Sequence, residues 1–351
     1  MTGARTADEL ASDRAAIVRR HWLLRFSVGV ALSLVLCEAM GWAPTFLAPL
    51  LVATLLGNLP FSPPLKAGFA LMIVMAGAAT LSFVLSSLLS ESPQILVGLI
   101  AVIIFLAFAA MAHGGSPLPP LFLLLCISTI PVIAMIYPAQ ASFMPIAMVR
   151  GMIVAVFIVW CMFILFPEVA PPPKKKPPSA AVDSPVEKAL TGTAVVMPIM
   201  LIYLMFGLAD ALPVLITTVI LITNFHPERG AKHGAAMMVG NLVGGVVGYV
   251  VYLLLQVAPS LATLGVLTFL AWMIFAVRMQ QGGPAVPIYM IACNAALVIL
   301  SSSIASGGDA SGILLTRLFQ FSIACAFAVG MMILIWDVQH SSENQQPAEA
   351  E

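Results

Sequence analysis

The sequence predicts an all-α integral membrane protein of about twelve transmembrane helices, built as two parallel six-helix repeats. Three observations predict it: apolar runs near the length of a bilayer crossing, polar landmarks that recur at one fixed shift, and basic residues gathered on one side. The 351 residues are 61% hydrophobic and 9% charged, with a mean hydropathy of +1.06. Soluble domains carry roughly 25% charged residues, and a soluble fold this apolar lacks the polar groups to cover itself. Lipid is therefore the solvent for most of the chain.

The apolar runs of the first half occupy 22–40, 43–57, 67–89, 94–112, 118–137 and 146–166. Those of the second half occupy 190–208, 211–224, 234–256, 261–277, 284–304 and 312–336. A helix needs about 20 residues to cross the hydrocarbon. Two runs fall short, 43–57 and 211–224, and the first contains Pro44 and Pro49. Short or Pro-interrupted segments at matching places in two halves point to broken helices lining a cavity, or to tilted neighbours in a thin patch of membrane.

Around the runs, 1–20 is polar and mixed in charge, with no short apolar core and no small-residue cleavage site. A cleaved signal is not expected, and the first run should stay in the membrane. The domains read as 1–20, a cytoplasmic segment; 21–166, the first repeat; 167–189, a linker; 190–336, the second repeat; and 337–351, a disordered cytoplasmic tail. The linker is set by its prolines and by Lys174, Lys175 and Lys176, which exclude helix and lipid burial.

The repeats align at a shift of 166 residues: Gly41 to Gly207, Asn58 to Asn224, Lys66 to Lys232 and Gly68 to Gly234. Gly114 and Gly115 before Pro120 match Gly282 and Gly283 before Pro287, and Arg150 falls opposite Arg317. An even number of spans per half makes the repeats parallel.

With the N-terminus inside, alternating spans place thirteen of the fifteen Lys and Arg residues in the cytoplasm: Arg5, Arg14, Arg19, Arg20, Arg25, Lys66, Lys174, Lys175, Lys176, Lys188, Arg229, Lys232 and Arg278. That bias fits the positive-inside rule with both termini cytoplasmic.

The two left over are Arg150 and Arg317, at equivalent places near the start of each half's last helix. Intramembrane charge costs a few kcal/mol on insertion scales and usually faces a cavity or a partner. As a substrate site, the paired guanidinium groups would hold a carboxylate. As structure, each would snorkel to headgroups or pair with an acid such as Asp309. Asn241 and Asn294, polar within spans, either line the path or bond between helices. Glu38, Asp210 and Asp309 are the carboxylates that can carry a proton if desolvated; the plain alternative is a wet loop acid.

The loops 57–68 and 223–234 are equivalent and cytoplasmic, a candidate gate carrying Asn58, Lys66, Asn224, His226, Glu228 and Lys232. His226, Glu228 and His233 match no metal spacing, so neither a metal nor another cofactor is expected. The five cysteines stand singly in apolar runs and read as packing residues. Gly240, Gly244 and Gly248, four apart, form a face that lets another helix approach closely. Zero net charge gives no electrostatic footing for nucleic acid. No phosphate-binding loop, nucleophile elbow or zinc helix appears, and an enzyme is not expected.

The basic N-terminus leading into "RFSVGVALSLVLCEAMGWAPTFLAPLLVATLLGN", the Pro/Lys turn after it and the duplicated unit resemble the fusaric-acid-resistance and aromatic-acid-exporter superfamily of bacterial inner-membrane proteins. The resemblance spans most of 20–336, in a short branch whose linker has no room for a large cytoplasmic domain. It implies export of organic anions such as aromatic carboxylic acids, with a periplasmic adaptor protein as partner. Association with further copies of the chain is compatible with it. The expected function is a secondary efflux permease for amphipathic organic acids. The alternative is a non-transporting scaffold that anchors an envelope assembly, for which the Gly240–Gly248 face would make the partner contact.

Overall fold

In the computed structural model the described residues are 7–59, 61–113, 117–138, 141–167, 185–206, 230–283 and 285–306, with single helical positions at 312, 315, 316 and 319. Every regular element among them is a helix. In chain order these are α1 (Ala7–Ala39), α2 (Leu47–Asn58), α3 (Leu65–Leu88), α4 (Pro93–Ala112), α5 (Leu118–Ile136), α6 (Phe143–Leu165), α7 (Pro185–Phe206), α8 (Gly230–Val257), α9 (Leu261–Gln280) and α10 (Val286–Ser306). Eight of these helices contain a stretch long and apolar enough to cross a membrane. The expected crossing at 211–224 lies outside the described residues, as does nearly all of 312–336.

Two boundaries differ from the hydropathy reading for physical reasons. The first helix begins at Ala7, not 22, because the Ala- and Arg-rich stretch before the apolar run is itself a good helix former. The second run is a helix only from Leu47, after Pro44, and ends at Asn58. Its 12 residues rise about 18 Å, against a hydrocarbon thickness of about 30 Å. Ten of the twelve, Leu47 to Leu56, are buried, so α2 is sheathed by protein.

The chain divides into two compact units, and the division falls inside α3, α6 and α8. The first unit gathers 1–73, 147–177 and 243–310; the second gathers 74–146, 178–242 and 311–351. Each therefore draws segments from both halves of the sequence.

Helix directions in the first unit follow from paired contacts. α1 and α9 are antiparallel: Gln280 Nε2 donates to the Arg19 carbonyl at 3.2 Å and Ser27 Oγ reaches Met273 Sδ at 3.8 Å. Further along, a Cβ on Gly265 would lie 3.3 Å from Val35. α2 and α10 are antiparallel, with Thr45, just before α2, on Ser301 and Gly57 against Met290. α6 runs with α2, through Gly151 beside Ala48 and Leu51, and through Trp160 Nε1 donating to the Pro63 carbonyl at 3.0 Å.

α8 runs with α10. Added Cβ atoms on Gly244 and Gly248 would strike the Ala292 and Ala296 carbonyl oxygens, the second at 2.6 Å. Between helices in lipid there is no hydrophobic driving force, so close backbone approach over small residues supplies the packing. The glycine face read from the sequence is thus filled by α10 at Gly244 and Gly248.

In the second unit α4, α5 and α7 pack on one another. Gly192 of α7 leaves room for the Phe108 ring of α4, which a Cβ would approach to 2.8 Å. Pro131 interrupts the hydrogen-bond ladder of α5. Buried hydroxyls here bond back to their own helices, Thr129 to the Leu125 carbonyl at 2.6 Å and Ser82 to the Ala78 carbonyl at 2.7 Å. Apolar surroundings demand such internal satisfaction.

Candidate functional site

The polar residues of the first unit meet where α1 ends. Gly41 adopts φ +62°, the left-handed region that suits glycine. Its N–H donates to the Glu38 carbonyl at 3.1 Å, and the Trp42 N–H donates to the Cys37 carbonyl at 2.9 Å. This is a Schellman cap: it ends α1, satisfies two orphan carbonyls and turns Trp42 back over the helix end. Gly41→Ala is expected to lower stability by about 1–2 kcal/mol, the cost of a left-handed non-glycine residue. Denaturant unfolding of the purified protein would measure it.

Three helices place side chains around this turn. Arg150 of α6 donates from Nη2 to the Ala43 carbonyl at 3.0 Å, and its guanidinium lies 4.9 Å from the Trp42 ring centroid. Glu38 of α1 lies beside the Thr45 hydroxyl. Its buried Oε1 has none among the described residues. Thr45 in turn bonds Ser301 of α10. Cys37, the residue before Glu38, is 3% exposed. A guanidinium carries five N–H donors in a planar fork. The contacts of Arg150 among the described residues are a carbonyl and a ring face, so donors remain for an anion.

Of the residues expected from sequence, the structure brings Arg150 and Glu38 to one end of the first unit. Asn294, on α10, is 4% exposed and its Oδ1 has no partner among the described residues. Asn241 is buried in the part of α8 that belongs to the second unit. Arg317, Asp210, Asp309, Asn224, His226 and Glu228 lie outside the described residues.

The described gate residues sit at helix ends. Asn58 closes α2 and donates back to the Thr54 carbonyl at 2.8 Å. Lys66 is exposed on the first turn of α3, which starts directly after Pro63 and Pro64, a natural helix start. Lys232 is in the first turn of α8, since that helix begins at Gly230. Among the described residues no group of three His, Cys, Asp or Glu side chains is arranged to hold a metal.

Sequence reasoning missed two things. Arg25, counted with the aqueous cations, is 6% exposed, its guanidinium 4.4 Å from the Phe163 ring centroid. The only sequence signal was an arginine with apolar residues on either side. It also missed Thr45 and Ser301, hydroxyls 256 positions apart in the chain.

The helices and their apolar surfaces define the class: a multi-pass helical membrane protein. Residues 195–331 match the family described as fusaric acid resistance protein-like, and residues 23–162 match a family described as protein of unknown function, DUF2955. Over residues 195–331 the second half of the chain is therefore similar to fusaric acid resistance protein-like domains. No curated protein and no solved structure matches the chain.

Proposed function

We propose that the chain is a secondary efflux permease of the bacterial inner membrane. It moves amphipathic organic acids, foremost aromatic carboxylic acids, outward, in concert with a periplasmic adaptor protein. Both termini are cytoplasmic, and twelve helices form two repeats. The helix directions support this topology: α1, α8 and α10 run one way, and α2, α6 and α9 the other, as odd- and even-numbered crossings must.

The observation that carries the reading is the convergence of Arg150 with Glu38 on the Trp42–Thr45 turn. The guanidinium receives the substrate carboxylate, the Trp42 face accommodates its apolar body, and Glu38 carries the counter-moving proton. Arg317 supplies the second cation at the equivalent place in the other repeat. The match to a fusaric-acid-resistance-like family supports the substrate class. The scaffold alternative loses support, because α10 already fills the Gly244–Gly248 face.

The test is whole-cell accumulation of a panel of aromatic and hydroxy acids with the gene deleted and then restored. Deletion should raise retention and toxicity of at least one acid, and restoration should reverse both. Identical retention across the panel would remove the export function.

A further inference from the structure

The polar cluster has an inward continuation along the seam between α2 and α10. Met290 and Ser301 both face α2, through Gly57 and Thr45. Steps of four, three and four residues keep 290, 294, 297 and 301 on one helical stripe. Asn294 therefore lies on the seam, two turns or about 10 Å inward of Ser301. Leu297, between them, is fully buried.

Asn294 is only 4% exposed, and its amide oxygen has no protein partner among the described residues. Leaving such an acceptor unmet costs about 1–3 kcal/mol. Bound water is the usual remedy for a buried orphan. At the outer end, Thr45 is hydrogen-bonded to Ser301, and Glu38 lies beside Thr45. The seam thus has the Glu38 carboxyl near one end and the unmet Asn294 acceptor at the other. A gap of about 10 Å takes roughly three waters at ~2.8 Å spacing.

We infer that the α2–α10 seam holds bound water between Asn294 and the Thr45–Ser301 pair, and that this file extends the Glu38 proton path toward the middle of the first unit. The step balances. Glu38 gives its carboxyl proton to Thr45 Oγ1, Thr45 passes its own to Ser301 Oγ, and Ser301 passes its own to the first water. Each hydroxyl ends with one proton, Glu38 becomes a carboxylate, and the water file, steadied by the Asn294 oxygen, carries the charge. Reprotonation runs the sequence in reverse. The relay rests on the proposed coupling role of Glu38; the water site does not.

Hydroxyl-radical footprinting of the intact protein in lipid nanodiscs tests the site, because radicals made from internal water mark the side chains beside it. Leu297, and a Leu297→Met reporter at the same place, should be marked although they are buried. Fully buried Leu124 of α5 should stay unmarked as a control. Asn294→Leu should cut the marking at least tenfold, while Asn294→Ser should keep it. An unmarked seam in the unaltered protein and in the reporter overturns the water site.

The relay is read in the efflux assay: Thr45→Val should lower efflux about tenfold and Thr45→Ser should preserve it. Full efflux in Thr45→Val overturns the relay. Full efflux in Glu38→Gln, with the seam still marked, instead overturns the coupling role on which the relay depends.

Discussion

Gly244→Val is expected to abolish the folded protein. A valine here brings branched bulk to a place where one added carbon already strikes the Ala292 carbonyl oxygen and comes within 2.7 Å of its Cα. Side chains can rotate away from an intruder, but this obstacle is backbone. One turn on, Gly248 against Ala296 locks the same pair of helices, so α8 cannot step aside locally. Core overpacking typically costs 1–3 kcal/mol where side chains yield, and a rigid backbone obstacle lies at or beyond about 3 kcal/mol. In lipid no hydrophobic gain offsets the separation of two helices. Gly265→Ala is the control, since its nearest neighbour is the Val35 side chain at 3.3 Å. Size-exclusion profiles and thermal melting in detergent would separate the two variants. A Gly244→Val protein that melts like the parent would refute the close packing of α8 on α10.

Arg150→Ala is expected to lower efflux about 10- to 100-fold, the equivalent of about 1.5–3 kcal/mol for lost charge-assisted hydrogen bonds to a carboxylate. Arg150→Lys should fall between, because an ammonium keeps the charge but loses the planar fork and its stacking on Trp42. The arginine also ties α6 to the Ala43 carbonyl, so a loss of protein must be told from a loss of site. The discriminating readout is the apparent KM at matched membrane abundance. A binding role raises KM; a tie alone lowers abundance and leaves KM in place. Arg317→Ala should behave like Arg150→Ala if the repeats share the work. Unchanged KM in both variants would remove the anion site.

The positions of most helices were legible because a bilayer crossing writes itself as an uninterrupted apolar run. The shortness of α2 was legible in Pro44 and Pro49. Arg150 stood out in the sequence because the expected topology puts this cation away from the cytoplasmic side, against the positive-inside rule. The burial of Arg25 was hidden by that rule, since a cation on the expected side raises no question. The interleaving of the halves into two units left almost no trace, for apolar helices in lipid choose neighbours by shape. Gly244 and Gly248 are the exception, because close approach requires the absence of a side chain. Thr45 and Ser301 were unreadable: a hydroxyl inside an apolar run has the same signature whether it bonds its own helix, as Thr129 does, or a distant one.

The length of α1 carries a mechanical consequence. Its 33 residues rise about 50 Å, some 20 Å more than the hydrocarbon, and the stretch suited to crossing starts only at Ala15. The two turns before it make a stiff lever continuous with the helix that bears Glu38. A fluorophore fixed to those turns would swing through an arc whenever α1 tilts, converting a displacement buried in the bilayer into a polarisation signal in water.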